Sequence, residues 1–426
     1  MPSTDSLSPS PIIGDGPAYD AVIVGGSLAG CATAIQLGRA GLRVAVVEKQ
    51  PDPQAFKRIC SHFIQASGVP AIERLGLLEP IEAAGGRRPR VRMWTRWGWI
   101  EAPPEHAGQG VNLRREVLDP LVRDTAAETP GVEMLLGWSA ETLLGENGGF
   151  AGVRVRNRQG EERELRARLT VGADGRDSKI AELAEVPVKT FPHNRFAYGG
   201  YFEGTPPANA PDATAWFLDP HWCAAFPTDN DLTFYAAMPT KDRLPEFKRE
   251  PEAALVRFLS DVPEPPPIRS GRAIEPVMGK IDMTNRMRKP VAPGLALIGD
   301  AALATDPLFG VGCGWAFQSA EWLAESVRPA LQGNGSLEQG LERYRRRHRR
   351  ELGPHAFLIH DYATGRRLNP GERLLFSAAA RDPKTAALFD SFGTRQIGPE
   401  QAFARMVPRA IAVNTRHALT RERSAA

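Results

Sequence analysis

A chain of 426 residues, 42% hydrophobic and 24% charged, is long enough for two or three domains with a substantial core. A net charge of only +3 gives no electrostatic footprint for nucleic acid. Cys31, Cys60, Cys223 and Cys313 are scattered with no CxxC pair, which indicates neither a metal site nor a disulfide framework and fits a reducing, cytoplasmic setting.

Residues 1–18, rich in Ser and Pro and without Lys or Arg, read as a disordered tail that lacks the signal-peptide pattern. The stretch from Asp20 to Lys49, DAVIVGGSLAGCATAIQLGRAGLRVAVVEK, then predicts a strand, a tight turn, a helix and a second strand, the size of one βαβ unit. Its turn, GGSLAG, sits where a dinucleotide pyrophosphate rests on a helix N-terminus. Gly25 permits the sharp turn and Gly30 the close approach of helix to strand. Glu48 stands at the distance expected of a ribose-binding acid, which favours FAD or NAD over a 2′-phosphorylated nucleotide. The uncharged run from Ala21 to Gly38 carries internal glycines, Ser27 and Gln36, so it fits the turn and helix and not an integral membrane segment.

Further along, a helix is expected over Val69 to Leu77. Arg90 to Ile100, with three tryptophans, reads as a strand or hairpin. Residues 111–127 suggest a strand end and a helix, and 131–172 a β-meander divided at ENGG and NRQG. Strand-like patches over 195–240 predict one antiparallel sheet, followed by a helix from about Pro251 to Leu259. Leu295 to Gly299 reads as a short buried strand and 312–331 as a long helix. From 336 onward the chain is helical. Six arginines between Arg343 and Arg350 are read as a solvated helix face.

Two more segments carry chemistry. TVGADGRDS places Asp174 and Gly175 at a strand end. GLALIGDAALATDPLFGVGCGWAFQSA ends a buried strand at Asp300, passes Pro307, and opens the long helix at Gly312 and Cys313. The amides of that helix start stabilise negative charge.

Together, GGSLAG with Glu48, ADGRDS, and LALIGDAALATDPLFGVG resemble, in order and spacing, the three motifs of the single-component FAD-dependent monooxygenases of the para-hydroxybenzoate hydroxylase type. The resemblance covers roughly residues 19–335. It implies an α/β fold: a Rossmann-like FAD-binding domain from 19–190 and 280–335, an inserted antiparallel-sheet substrate domain over 191–279, and a helical C-terminal region from 336. It also implies residue roles. Gly25, Ser27, Ala29 and Gly30 would line the pyrophosphate turn, and Glu48 would hold the adenosine ribose. Arg58 and Arg115 would lie along FAD, and Asp174 would face both FAD and the nicotinamide. Asp300 would take the ribityl chain, Pro307 would lie beside the isoalloxazine, and Gly312 and Cys313 would sit at its pyrimidine end. No second dinucleotide fingerprint exists, so NAD(P)H is expected as a visiting co-substrate.

The implied reaction inserts one atom of O₂ into a small aromatic or apolar substrate through a flavin C4a-hydroperoxide, by hydroxylation, epoxidation or N-oxidation. Trp216, Trp222 and Phe226 are the expected substrate wall, and His62 the candidate base for a phenol. Two alternatives belong to the same superfamily. A flavin-dependent halogenase usually carries W-x-W-x-I-P, whereas this chain has Trp222-Cys-Ala-Ala-Phe226-Pro227. A flavin-linked isoprenoid reductase is compatible with the apolar tail helices.

Overall fold

Burial along both faces of Ala21 to Val24 requires a strand covered from two sides, the usual position of a parallel strand. In the computed structural model, which describes residues 19–146 and 148–425, Tyr19–Val24 forms β1, Leu28–Arg39 α1 and Val44–Glu48 β2. The expected tail, 1–18, lies outside the described residues. β1 is hydrogen-bonded in parallel between β2 and Glu162–Gly172. Leu295–Leu297 and Val132–Leu136 extend the parallel sheet on either side.

Alternation along these strands sorts the core into two layers. Ala21, Ile23, Val44 and Val46 pack with α1 and the long helix Gly312–Leu331. Val22, Val24, Ala45 and Val47 pack beneath the antiparallel strands Trp138–Glu146 and Gly149–Asn157. Only glycine fits where α1 meets β1, because a Cβ on Gly30 would stand 1.9 Å from the Gly25 carbonyl oxygen. The fold is therefore the α/β, Rossmann-like architecture that the sequence predicts, with a second sheet beside it.

That second sheet runs in the order Arg272–Ala273, Ala197–Glu203, Thr233–Ala237, Trp222–Pro227, Ala213–Phe217, Val91–Thr95, Gly98–Ile100. The tryptophan hairpin Val91–Ile100 thus belongs here, although the division by sequence leaves it within 19–190. Its first strand pairs in parallel with Ala213–Phe217, Met93 opposite Ala215. Helix Pro251–Ser260 covers one face of this sheet. The other face looks toward the first domain and the C-terminal helices.

The expected helix over Val69 to Leu77 stops at Arg74, because Gly76 takes a left-handed φ of 67°, and a separate helix, Leu78–Ala83, follows. Beyond the helix Leu337–Tyr362, three helices, Pro370–Ala379, Pro383–Gly393 and Pro399–Ala425, share a small apolar core that includes Ile100 of the hairpin. Their starts are written locally. Asn369 and Glu372 form a capping box behind Pro370, and Asp382 caps the next helix while Arg409 clasps it at 2.7 and 2.8 Å. Of the arginine-rich segment, Arg345 and Arg346 bind Glu342, and Arg347 binds Glu325. Among the described residues no helix is long and apolar enough to cross a membrane.

Candidate active site

Two concave regions meet at the loop before helix Gly312–Leu331. The first is a cleft along the C-terminal ends of the parallel strands. α1 begins at Leu28 with no side-chain cap, since the Ser27 hydroxyl accepts instead from Arg115 Nη2 at 2.9 Å. Helix Gly312–Leu331 also begins uncapped, at an exposed Gly312. Two long helices thus present free amides, and with them the positive ends of their dipoles. At Gly25 the backbone turns with φ 114° against the Ala173 carbonyl, so the second motif packs on the first. Ala29 reaches the third, with its Cβ 3.2 Å from where a Cβ on Gly299 would stand.

Glu48 closes β2 and accepts from the amides of Gly26 and Gln50, each at 2.8 Å. Each oxygen keeps a second lone pair for a hydroxyl donor. Asp300 lies 3.4 Å from Lys57 Nζ, and its carboxylate raises the pKa of that ammonium. A Cβ on Gly312 would meet nothing nearer than Asp300 Oδ1 at 3.9 Å, so open space separates Asp300 from the helix start.

Arg115 ties the cleft together. It is buried, binds Asp119 at 2.6 and 2.9 Å, and lies 3.8 Å from Cys60 Sγ and 3.7 Å from Cys313 Sγ. Burial opposes its charge, but the two sulfurs and Asp119 outweigh it and raise the pKa. The two thiols are 3.7 Å apart, and Cys60 is pulled well below its ordinary value, first by the hydrogen bond from Cys313 and further by His62 and Arg115.

Not every expected residue joins this group. Arg58 is exposed, and its neighbour Lys57 is the one that reaches Asp300. The Asp174 carboxylate is engaged by the Ser178 hydroxyl at 2.6 Å and the Ile180 amide at 3.0 Å, fastening the start of Lys179–Leu183. The His62 ring is engaged at both nitrogens. Its Nδ1 accepts from the Arg115 amide at 2.8 Å, its Nε2 faces the Tyr201 hydroxyl, and burial pushes it down to about 4. It contributes nothing to the wall of the large cavity.

That cavity, the second concave region, measures about 200 Å³. Its walls come from the second sheet (Phe217, Trp222, Phe226), the turn Pro307 to Gly310, and the C-terminal helices (Tyr362, Phe376). The turn is held from behind by Asp306, which accepts from the Leu308 amide at 2.8 Å and meets His193 Nε2 at 2.8 Å. Pro307 itself is exposed. Trp222 and Phe226 share one strand face, with ring centroids 6.3 Å apart. Trp216 does not join them. It lies opposite Cys223 and points to the other face, where it is 1% exposed and donates to the Pro263 carbonyl at 2.8 Å. Phe217, opposite Trp222, takes the wall position instead. The period of two along a strand decides this, and adjacency in sequence misleads.

The free helix amides, the glycine-only contacts and the carboxylates of Glu48 and Asp300 at two strand ends fit FAD. A family model described as the FAD binding domain matches residues 18–353. The chain belongs to this family. Among curated relatives of this flavoprotein, a digeranylgeranylglycerophospholipid reductase of Thermoplasma acidophilum is 24% identical over 76% of this chain and 82% of its own. A kynurenine 3-monooxygenase of Salinispora tropica is 28% identical over 72% of each chain. Among solved structures, a flavin-dependent brominase has a TM-score of 0.74 at 20% identity, covering 95% of this chain and 99% of that one. The p-nitrophenol 4-monooxygenase of Pseudomonas putida has a TM-score of 0.72 at 21% identity, covering 89% and 98%. The fold of the flavoprotein is the one these solved structures share.

Lys57, Cys60 and Asp119 of the flavoprotein cleft carried no motif signal. Asp119 was accessible in principle, four residues after Arg115 on one helix, an ion-pair spacing. The meeting of Cys60 with Cys313 depends on tertiary folding and has no local signature.

Proposed function

We propose that the protein is an FAD-dependent monooxygenase acting on a small apolar or aromatic substrate. The observation that carries this reading is the position of the aromatic cavity, which opens on the turn Pro307 to Gly310 near the end of the third flavin motif. Bound FAD supplies hydride acceptance from NAD(P)H and activation of O₂, with one oxygen going to the substrate and the other to water. The chain's own part is to bind, orient and exclude water. Gly25, Gly30 and the start of α1 receive the pyrophosphate, Glu48 and Asp300 hold hydroxyls, and the uncapped start of helix Gly312–Leu331 stabilises negative charge on the ring system. Trp222, Phe226 and Phe217 form a flat apolar wall that holds a substrate near the ring and keeps it dry. In this reading the cofactor domain comprises 19–190, less the tryptophan hairpin, with 280–335, and the substrate domain is centred on 191–279.

A second reading, reduction of an isoprenoid chain, draws support from the predominantly apolar lining of the cavity and from relatives named as digeranylgeranylglycerophospholipid reductases. One experiment separates them: NAD(P)H consumption by the FAD-loaded protein over a panel of aromatic and isoprenoid compounds, with product masses. A gain of one oxygen supports the monooxygenase. A gain of two hydrogens without O₂ supports the reductase, and a halide-dependent gain of halogen supports a third chemistry that excludes both.

A further inference from the structure

Among the described residues that line the cavity, Arg395 is a cation with no ion-pair partner. Arg395 follows the helix Pro383–Gly393 in a left-handed conformation, φ 64°. Its Nη1 donates to the carbonyls of Phe392 and Gly393, the free end of that helix. Its Nε is buried with no partner. The two carboxylates lining the cavity are engaged elsewhere. Glu372 is gripped by Arg366 at 2.6 and 2.7 Å, and Asp390 accepts from the Gly108 amide at 2.8 Å. Burial alone acts on the Arg395 guanidinium, pushing it down to about 10. His355, the other titratable group beside it, is neutral, pushed down to about 3 by burial and then by Arg395.

The location gives the orphan cation a use. The guanidinium carbon stands 5.3 Å from the centre of the Phe309 ring, two residues past Pro307. Gln65 is adjacent, donating from Nε2 to the carbonyl of Phe309 and, at 3.2 Å, to that of Gly393, the same carbonyl that Arg395 uses. Its Oε1 is buried and unpartnered. One end of an otherwise aromatic cavity thus holds an unused donor edge on a cation beside an unused amide acceptor. A desolvated charge is costly unless paired, and the planar guanidinium edge matches a carboxylate.

We propose that Arg395 and Gln65 form the polar end of the substrate site and select an aryl carboxylic acid. Arg395 takes the carboxylate through Nε and Nη2, and Gln65 Oε1 takes an N–H or O–H on the same molecule. The proposal rests on the cavity being the substrate site, and its test does not require turnover.

The test is calorimetric titration of the FAD-loaded protein, without NAD(P)H, using benzoate, 2-aminobenzoate and 2-naphthoate, each paired with its primary amide. At least one acid should bind about tenfold or more tightly than its amide. Arg395→Gln keeps a donor for the Gly393 carbonyl but loses the charge, and should abolish that preference. Arg395→Lys should keep part of it. Gln65→Met should remove the advantage of 2-aminobenzoate over benzoate. The proposal is overturned if no acid binds, if acids and amides bind alike to the unaltered protein, or if Arg395→Gln retains the preference. Heat from potassium bromide alone that vanishes in Arg395→Gln would also overturn it, in favour of a halide site. Should Arg395→Gln fail to fold, the acid–amide comparison on the unaltered protein still decides. Failure of oxygen transfer with normal acid binding would count against the monooxygenase reading alone.

Discussion

Around the βαβ turn the molecule positions backbone, whereas around the cavity it positions side chains drawn from widely separated segments. Gly25, Gly26 and Gly30 matter because of what they lack, and the amides and carbonyls they release lie close in sequence. Phe217, Trp222, Gln65, Phe309, Tyr362 and Arg395 meet only through the packing of two sheets and the C-terminal helices. The cleft therefore tolerates change at most side chains but none at a few glycines. The shape of the cavity depends instead on strand register and helix docking. That contrast is open to attack at both ends.

The largest effect is expected at Gly30. A valine there brings a Cβ to 1.9 Å from a backbone oxygen that cannot swing aside. The cost should exceed the about 1–3 kcal/mol of ordinary overpacking. Gly30→Val should yield little folded protein and none that retains FAD, read from soluble yield and flavin absorbance. Recovery of yellow, stable protein would mean that α1 does not approach β1 so closely.

Next in size is the comparison of two tryptophans. Trp216, enclosed between the second sheet and its helices, should lose about 3–5 kcal/mol on truncation, seen in urea denaturation of Trp216→Ala. Trp222→Ala should lose less, because one side of the ring already faces the cavity, and should instead enlarge the site. Equal losses would erase the distinction between wall and core.

Smaller again is the effect at the cofactor carboxylates. Glu48→Arg removes the acceptor of two backbone amides and of the proposed ribose hydroxyls, and Asp300→Ala removes the partner of Lys57. Hydrogen bonds to a charged group contribute about 1.5–3 kcal/mol, so FAD should dissociate about tenfold or more readily from each variant. Full flavin occupancy in both, measured after gel filtration, would show that neither carboxylate holds the cofactor.

The same contrast explains what was legible in the sequence. The βαβ turn, the buried strand ending at Asp300 and the helix from Gly312 are local, because glycine position and apolar run length fix them within about one turn of chain. Gly76 ends a helix locally too, and the glycine of RLGLLEP marks that end in the sequence. The cavity residues are a different matter. Trp216 and Phe217 are neighbours, and only the pairing of Phe217 with Trp222 decides which of them faces the cavity. His62 sits in a loop whose path is set by Arg115 and Tyr201 from distant segments. Arg395 lies in tail helices that the motifs do not reach, so nothing in its neighbourhood of sequence distinguishes it from a solvent-exposed arginine.

The smallest predicted effect probes the polar end of the cavity without touching Arg395. Burial pushes the Asp390 carboxyl up to about 6, against the single hydrogen bond from the Gly108 amide that favours its ionised form. In the unfolded chain the same group titrates near about 3.9. Between those two values the folded protein binds more protons than the unfolded one, so this group's contribution favours folding at low pH and is lost as pH rises through about 6. Asp390→Asn keeps the acceptor for Gly108 and removes the ionisation. The variant should therefore match the parent near pH 4 and become more stable by about 1–2 kcal/mol above pH 7, after allowance for water in the cavity. Urea midpoints measured across that range give the difference directly. A gap that does not change with pH would mean that Asp390 is not the titrating group. A gap of opposite sign would mean that the carboxylate is paired in the folded protein; pairing with Arg395, which lines the same cavity, would leave no orphan charge for a substrate to meet.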